Sequence, residues 1–190
     1  MSQEANIVST CPLCTETLRF TFNTDEIPFF GEIMLVSAQC TCGFRYADTI
    51  SLNEREAARY ELRFGSDDFT TRVIRSTSGT MHIPELGVKV EPGSGSEAFI
   101  SNVEGVLRRV EEVVHMATKW SSDDPDKFEL GNRLLETIDA VKRGEQEMTL
   151  ILDDPFGNSA IVSPRAHRRA LTQHEAEELK TGMITIDVSE

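Results

Sequence analysis

Residues 11–43 read CPLCTETLRFTFNTDEIPFFGEIMLVSAQCTCG, and all four cysteines of the 190-residue chain fall within them. They form two close pairs, Cys11 with Cys14 and Cys40 with Cys42. Each pair sits on a tight turn that can present two thiolates to one ion from the same side. Gly43 follows the second pair and permits the positive φ that such a knuckle demands. Between the pairs, alternation over Thr17–Asn23 and Glu32–Gln39 predicts strands, and Phe44–Ile50 predicts a third. Four thiolates close a tetrahedral structural zinc site with no vacancy for water, so residues 1–50 read as a four-cysteine zinc ribbon holding one Zn2+. Two disulfides, four unrelated buried cysteines and a rubredoxin-like iron or iron–sulfur site are the alternatives. A reducing compartment argues against the first and the clustering against the second. Histidine does not complete the site locally, because the first one is His82.

Working outward, the pattern changes near residue 50. Short strands are expected at Tyr60–Phe64, Phe69–Arg75, Thr80–Ile83 and Val88–Val90, punctuated by Pro84, Gly87 and Pro92-Gly93. Pro92–Glu97 reads as a loop. Ser101 with Glu104 reads as a capping box, followed by an apolar stripe of Val106, Leu107, Val110, Val113, Val114 and Ala117. A second helix is expected from Asp124-Pro125 as N-cap and first helical residue. Its stripe is Phe128, Leu134, Leu135, Ile138 and Val141, and Gly144 is placed to end it. The short connection makes the two an antiparallel hairpin. Strands resume at Met148–Leu152 and Ala160–Val162 around a turn at Asp153–Asn158. Thr172 with Glu175 is a second capping box, opening a short helix that ends near Gly182, and Met183–Val188 has strand character. The order is strands, helix pair, strands.

Composition narrows the function classes. Apolar residues at 39% and charged residues at 27% describe a globular chain able to bury a core. The longest apolar run, Ile33 to Val36, is far too short to span a bilayer. Met1–Thr10 lacks the basic and apolar regions of a secretory signal, so a cytoplasmic location is expected. Net charge is −13 and the acidic excess is spread along the chain. Without clustered Lys and Arg, neither nucleic acid nor an anionic membrane is expected as a partner.

Four stretches carry a family resemblance. They are the cysteine module with Ile27-Pro28-Phe29-Phe30-Gly31-Glu32 and the segment Ser66–Ser76 (SDDFTTRVIRS). Ile83-Pro84-Glu85-Leu86 with Val103-Glu104-Gly105-Val106-Leu107 follows, and then Leu152–Ser159 (LDDPFGNS). In this order they resemble the ZPR-type zinc-finger proteins. That likeness implies a mainly β architecture. It would be a zinc ribbon followed over residues 51–190 by a double-stranded β-helix, a jelly-roll-like barrel with a helical hairpin inserted at about 101–144. It also implies a single module similar to archaeal members, where eukaryotic members carry two in tandem. The second knuckle departs from the family pattern, C-x-C-G here against C-x-x-C-G. In function the resemblance implies protein binding or chaperone-like action on translation elongation factor one-alpha, with no catalysis. The alternative is a zinc-ribbon module that binds nucleic acid or serves transcription.

Other candidate sites weigh less. His82, His115, His167 and His174 make no metal-binding pair of the cupin kind. Asp67, Asp68, Arg72 and Arg75 bracket a strand and are candidates for partner contact or for ion pairs to a neighbouring loop. Arg75 shares a strand face with Val73, and on the core side it would need a buried carboxylate or carbonyls. Asp153 and Asp154 offer a second candidate contact. They lack the ligand alternation of an EF-hand and suit a tight turn.

Overall fold

The computed structural model describes residues 7–27, 31–52, 55–93 and 96–181. The chain separates into two compact units, Met1–Arg55 and Glu56–Glu190. The expected strand Met183–Val188 lies outside the described residues, and the last helix, expected to end near Gly182, already ends at Glu177.

The first unit is an antiparallel meander of four strands: β1 (Ile7–Thr10), β2 (Thr17–Ile27), β3 (Gly31–Gln39) and β4 (Arg45–Ser51). Its register pairs Thr10 with Thr17 and Gln39 with Arg45. Both cysteine turns therefore emerge at the same end of the sheet. A small cluster of Cys11, Leu18 and Ala38, with Phe20 and Phe44 against it, fills the space behind them. Phe20 stacks on Phe22 at 6.4 Å between centroids and meets Tyr46 edge-on at 5.8 Å.

The second unit holds two antiparallel sheets. One has five strands in the order β12–β5–β10–β7–β8 and the other three in the order β11–β6–β9. The strands are β5 (Ala58–Phe64), β6 (Arg72–Arg75), β7 (Thr80–Ile83), β8 (Val88–Val90), β9 (Phe99–Asn102), β10 (Met148–Asp154), β11 (Ala160–Val162) and β12 (His167–Ala170). Strand alternation puts Leu62 and Phe64 of β5 directly across from Leu150 and Met148 of β10. These side chains join Leu152, Met81 and Ile83 from the same sheet and Val73 and Ile161 from the other in one core.

Two helices, α1 (Val103–Trp120) and α2 (Pro125–Lys142), are inserted between β9 and β10. At α2 the expected caps form. The Asp124 side chain accepts the Lys127 amide, and Pro125 opens the helix. Gly144, at φ +75°, closes it through amide bonds from Gly144 to Val141 and from Glu145 to Ala140, the paired bonds of a Schellman ending. At α1 the expectation is corrected. Ser101 belongs to β9, and Asn102 is the cap, accepting the Gly105 amide at 2.8 Å. The ladder from β9 to β6 keeps the chain extended through Asn102, opposite Arg72, so the helix starts one residue later than a Ser101 cap would have it. The buried face of α1 is Val103, Val106, Leu107, Val110, Val114 and Thr118. Val113 and Ala117, assigned to that stripe by spacing, face outward instead. Thr118 is buried because Gly131 of α2 packs on it. A Cβ at Gly131 would lie 2.0 Å from the Thr118 hydroxyl.

Other boundaries also move. Phe69–Thr71 forms a turn after a 3-10 segment at Ser66–Asp68, which leaves β6 only four residues. Asp153 and Asp154 belong to β10 rather than to the turn that follows. The last helix, α3 (Gln173–Glu177), begins with the expected Thr172–Glu175 box. Arg169 first, and then the Thr172 amide, hold the Glu175 carboxyl down to about 2. The Arg169–Glu175 pair thereby fastens α3 to β12.

Candidate metal centre

The two knuckles share one plan at different lengths. In the first, the Cys11 amide donates to the Glu16 carbonyl at 2.8 Å and the Thr15 amide to the Cys11 carbonyl at 2.9 Å. In the second, the Cys40 amide donates to Phe44 at 2.9 Å and the Gly43 amide to Cys40 at 3.0 Å. The missing residue converts a five-residue turn into a four-residue one without opening it. Each knuckle places a positive φ directly after its second cysteine, at Thr15 (62°) and Gly43 (97°). Glycine adopts such a conformation freely, whereas threonine, being β-branched, is strained there.

These turns bring the sulfurs together. Cys11 and Cys42 Sγ are 3.7 Å apart, Cys14 and Cys40 Sγ are 3.4 Å apart, and all four lie within 4.8 Å of one another. A tetrahedral zinc with Zn–S bonds of about 2.3 Å requires sulfur separations of roughly 3.8 Å. The donor set and its spacing thus fit one zinc ion, and all four cysteines are free thiols.

Electrostatics point the same way. The backbone amide of Glu16 favours the Cys14 thiolate, yet the crowding thiols of Cys40 and Cys42 push it up to about 12. The Cys42 amide and the Cys14 thiol hold Cys40 down to about 7. Cys42 is raised; the Phe44 amide favours its thiolate, and Cys14 pulls the same way, but burial and the Cys40 and Cys11 thiols oppose them. Four thiolates this close repel one another unless a cation sits among them. The bound ion would supply that charge and tie the two turns together.

The six charged residues named as candidate contacts divide by burial. Asp68 is buried and takes both oxygens to the Arg165 guanidinium at 2.7 Å. Arg75, 5% exposed, donates to the Gly79 carbonyl at 2.8 Å. Burial pushes its guanidinium down from the ordinary value while Asp154 opposes this. That is the buried carboxylate and carbonyl a core-side arginine needs. Asp153 forms a two-bond pair with Arg59 at 2.6 and 2.7 Å. Asp154 accepts the hydroxyls of Ser76, Ser78 and Ser159 at 2.6, 2.9 and 2.5 Å, and the Phe156 amide at 2.9 Å. Asp67 and Arg72 are exposed.

Sequence reasoning missed two features. The serines around Asp154 come from segments about eighty residues apart, and no local pattern signals their meeting. The second is an apolar ridge on the outside of the hairpin, where Val113, Met116 and Trp120 are exposed on α1, Trp120 at 79%, with Phe128 and Leu130 exposed on α2. Val113, Met116 and Trp120 recur at helical spacing, so this signal was present but was partly assigned to the core.

Fold and site together define a zinc-ribbon protein joined to a jelly roll that carries a helical hairpin. Family models match on both counts: a ZPR1 zinc-finger domain over residues 5–51 and a ZPR1 jelly-roll domain over residues 67–181. The chain belongs to the ZPR1 family. An uncharacterized ZPR1-like protein of Pyrococcus horikoshii is 40% identical over 90% of this chain and 80% of its own length. One from Methanocaldococcus jannaschii is 38% identical over 94% and 91%. The zinc finger chaperone zpr1 of Schizosaccharomyces pombe is 27% identical over 80% of this chain but only 34% of its own length. The two archaeal relatives are matched over 80% and 91% of their own lengths, in keeping with a single module. Among the described residues no helix is long and apolar enough to cross a membrane.

Proposed function

We propose that this chain is a non-catalytic, cytoplasmic binding protein with chaperone-like action on a translation elongation factor of the one-alpha class. The observation that carries the reading is the exposed ridge of Val113, Met116 and Trp120 with Phe128 and Leu130 nearby in the hairpin. Exposed apolar side chains at helical spacing on α1, Val113, Met116 and Trp120, suit a protein-binding face, and Trp is among the residue types enriched at the energetic centre of one. The fission-yeast relative is named a chaperone, which supports the same direction. The net charge of −13 favours a basic protein surface and weighs against nucleic acid. Asp67 and Arg72, near the base of α1, are proposed as separate polar contacts, with Asp68, Arg75, Asp153 and Asp154 holding the structure behind them.

The test is titration of zinc-loaded protein with purified elongation factor one-alpha, read by calorimetry. The unsubstituted chain is expected to bind, and Trp120→Ala to weaken binding at least about tenfold with zinc content and melting temperature unchanged. No binding by the unsubstituted protein, with one zinc per chain, would refute the partner.

A further inference from the structure

The four cysteines are not equally protected. Cys11 is 1% exposed, Cys14 and Cys40 are half-buried, and Cys42 is exposed. The shortened knuckle closes on Gly43, around which a Cβ would meet nothing within 4 Å, so the backbone next to Cys42 is open. Behind it lies Cys11 Sγ, 3.7 Å from Cys42 Sγ. A zinc-bound thiolate is a nucleophile at neutral pH, and exposure selects which thiolate meets an oxidant first.

We propose that Cys42 is the site at which hydroperoxides modify this protein, and that Cys11 resolves the product and discharges the zinc. The Cys42 sulfur attacks one oxygen of hydrogen peroxide. An S–O bond forms, the O–O bond breaks, and hydroxide leaves to take a proton from solvent. The Cys11 thiolate then attacks the Cys42 sulfur, forming S–S and expelling a second hydroxide, which is also protonated. Two thiolates have lost two electrons, and the peroxide has become two waters. Only Cys14 and Cys40 then remain as ligands, too few to retain the ion. Reduction by a dithiol restores both thiolates and the site. The inference rests on the zinc centre and is independent of the partner proposed above.

The experiment uses the full zinc-loaded chain exposed to graded hydrogen peroxide. Released metal is followed with a chromogenic chelator, and peptides are mapped by mass spectrometry without reduction. One zinc per chain should be released, with a Cys11–Cys42 cross-linked peptide appearing in step and disappearing on dithiothreitol treatment with added zinc. Under limiting N-ethylmaleimide, Cys42 should be the first cysteine blocked. Blocking of Cys11, Cys14 or Cys40 ahead of Cys42 would overturn the proposal. So would retention of zinc at peroxide doses that oxidise glutathione in the same tube. In Cys42→His the imidazole can replace the thiolate as fourth ligand, and peroxide-driven zinc release should slow at least about tenfold; release at the original rate would refute the assignment. If that variant loses zinc, the labelling order on the unsubstituted chain decides.

Discussion

The two units stabilise themselves by different means. The ribbon gathers Cys11, Leu18 and Ala38 into a small buried cluster beneath its sulfurs. Among the described residues, the jelly roll buries seventeen apolar side chains in one core drawn from both sheets and the hairpin. At roughly 1.5–3 kcal/mol for each large buried side chain, the second unit has a hydrophobic driving force that the first cannot match. For structural zinc in small modules the apparent binding energy is about 10–16 kcal/mol, and it is coupled to folding. A small sheet with a strong metal centre and a larger sheet pair with a dense core are two solutions to the same entropy cost.

That contrast is most sharply broken by removing the metal. A strong chelator, or Cys11→Ser, should unfold residues 7–52 and leave the second unit intact. In an amide NMR spectrum the ribbon resonances should collapse while those of residues 56–181 persist. Loss of both sets together would show that the units do not stand independently. The next largest effect belongs to Asp154→Ala, which strands three buried serine hydroxyls and removes the carboxylate facing Arg75. A loss on the order of 3 kcal/mol is expected, read as a lower urea midpoint for the second unit with zinc retained. Gly131→Ala should cost about 1–3 kcal/mol by forcing α2 off Thr118, despite the better helix propensity of alanine; an unchanged melting temperature would mean that the helices separate freely.

The smallest effects compare the two knuckles. Gly43→Ala has space for the new methyl but an unfavourable φ, and should weaken zinc retention by about 1–2 kcal/mol. Thr15→Gly relieves strain of similar size at some entropic cost to the unfolded chain, and should strengthen retention by less than about 1 kcal/mol. Competition with a chelator of known affinity measures both. If the two substitutions shift retention in the same direction, the strain assigned to Thr15 is wrong.

Much of this architecture was legible in the residues. The cysteine pairs, the strands between them and the end signals of α2 were readable because each rests on local chemistry. Strands β1, β9 and β12 were not expected. Each is a four-residue strand, and what holds each is the ladder to a neighbouring strand. The choice between Ser101 and Asn102 as cap could not be made locally, since both residue types cap well; pairing with β6 decided it. The same limit explains Val113. Its spacing fits the inner stripe of α1, and only the approach of Gly131 to Thr118 fixes which way the helix is turned. The Asp154 network shows the limit most plainly, because its donors meet only after both sheets have formed.

The separations along the chain also impose an order in time. The ribbon is completed across 31 residues, from Cys11 to Cys42. Strand β5 stays without either neighbour until β10 and β12 have been made. Its Arg59 meets Asp153 only 94 residues later, and Asp68 waits 97 residues for Arg165. Local closure is fast and distant closure slow. As the polypeptide leaves the ribosome, the metal-bound unit can mature while the barrel is still being translated, and an exposed β5 edge persists until β12 has been synthesised.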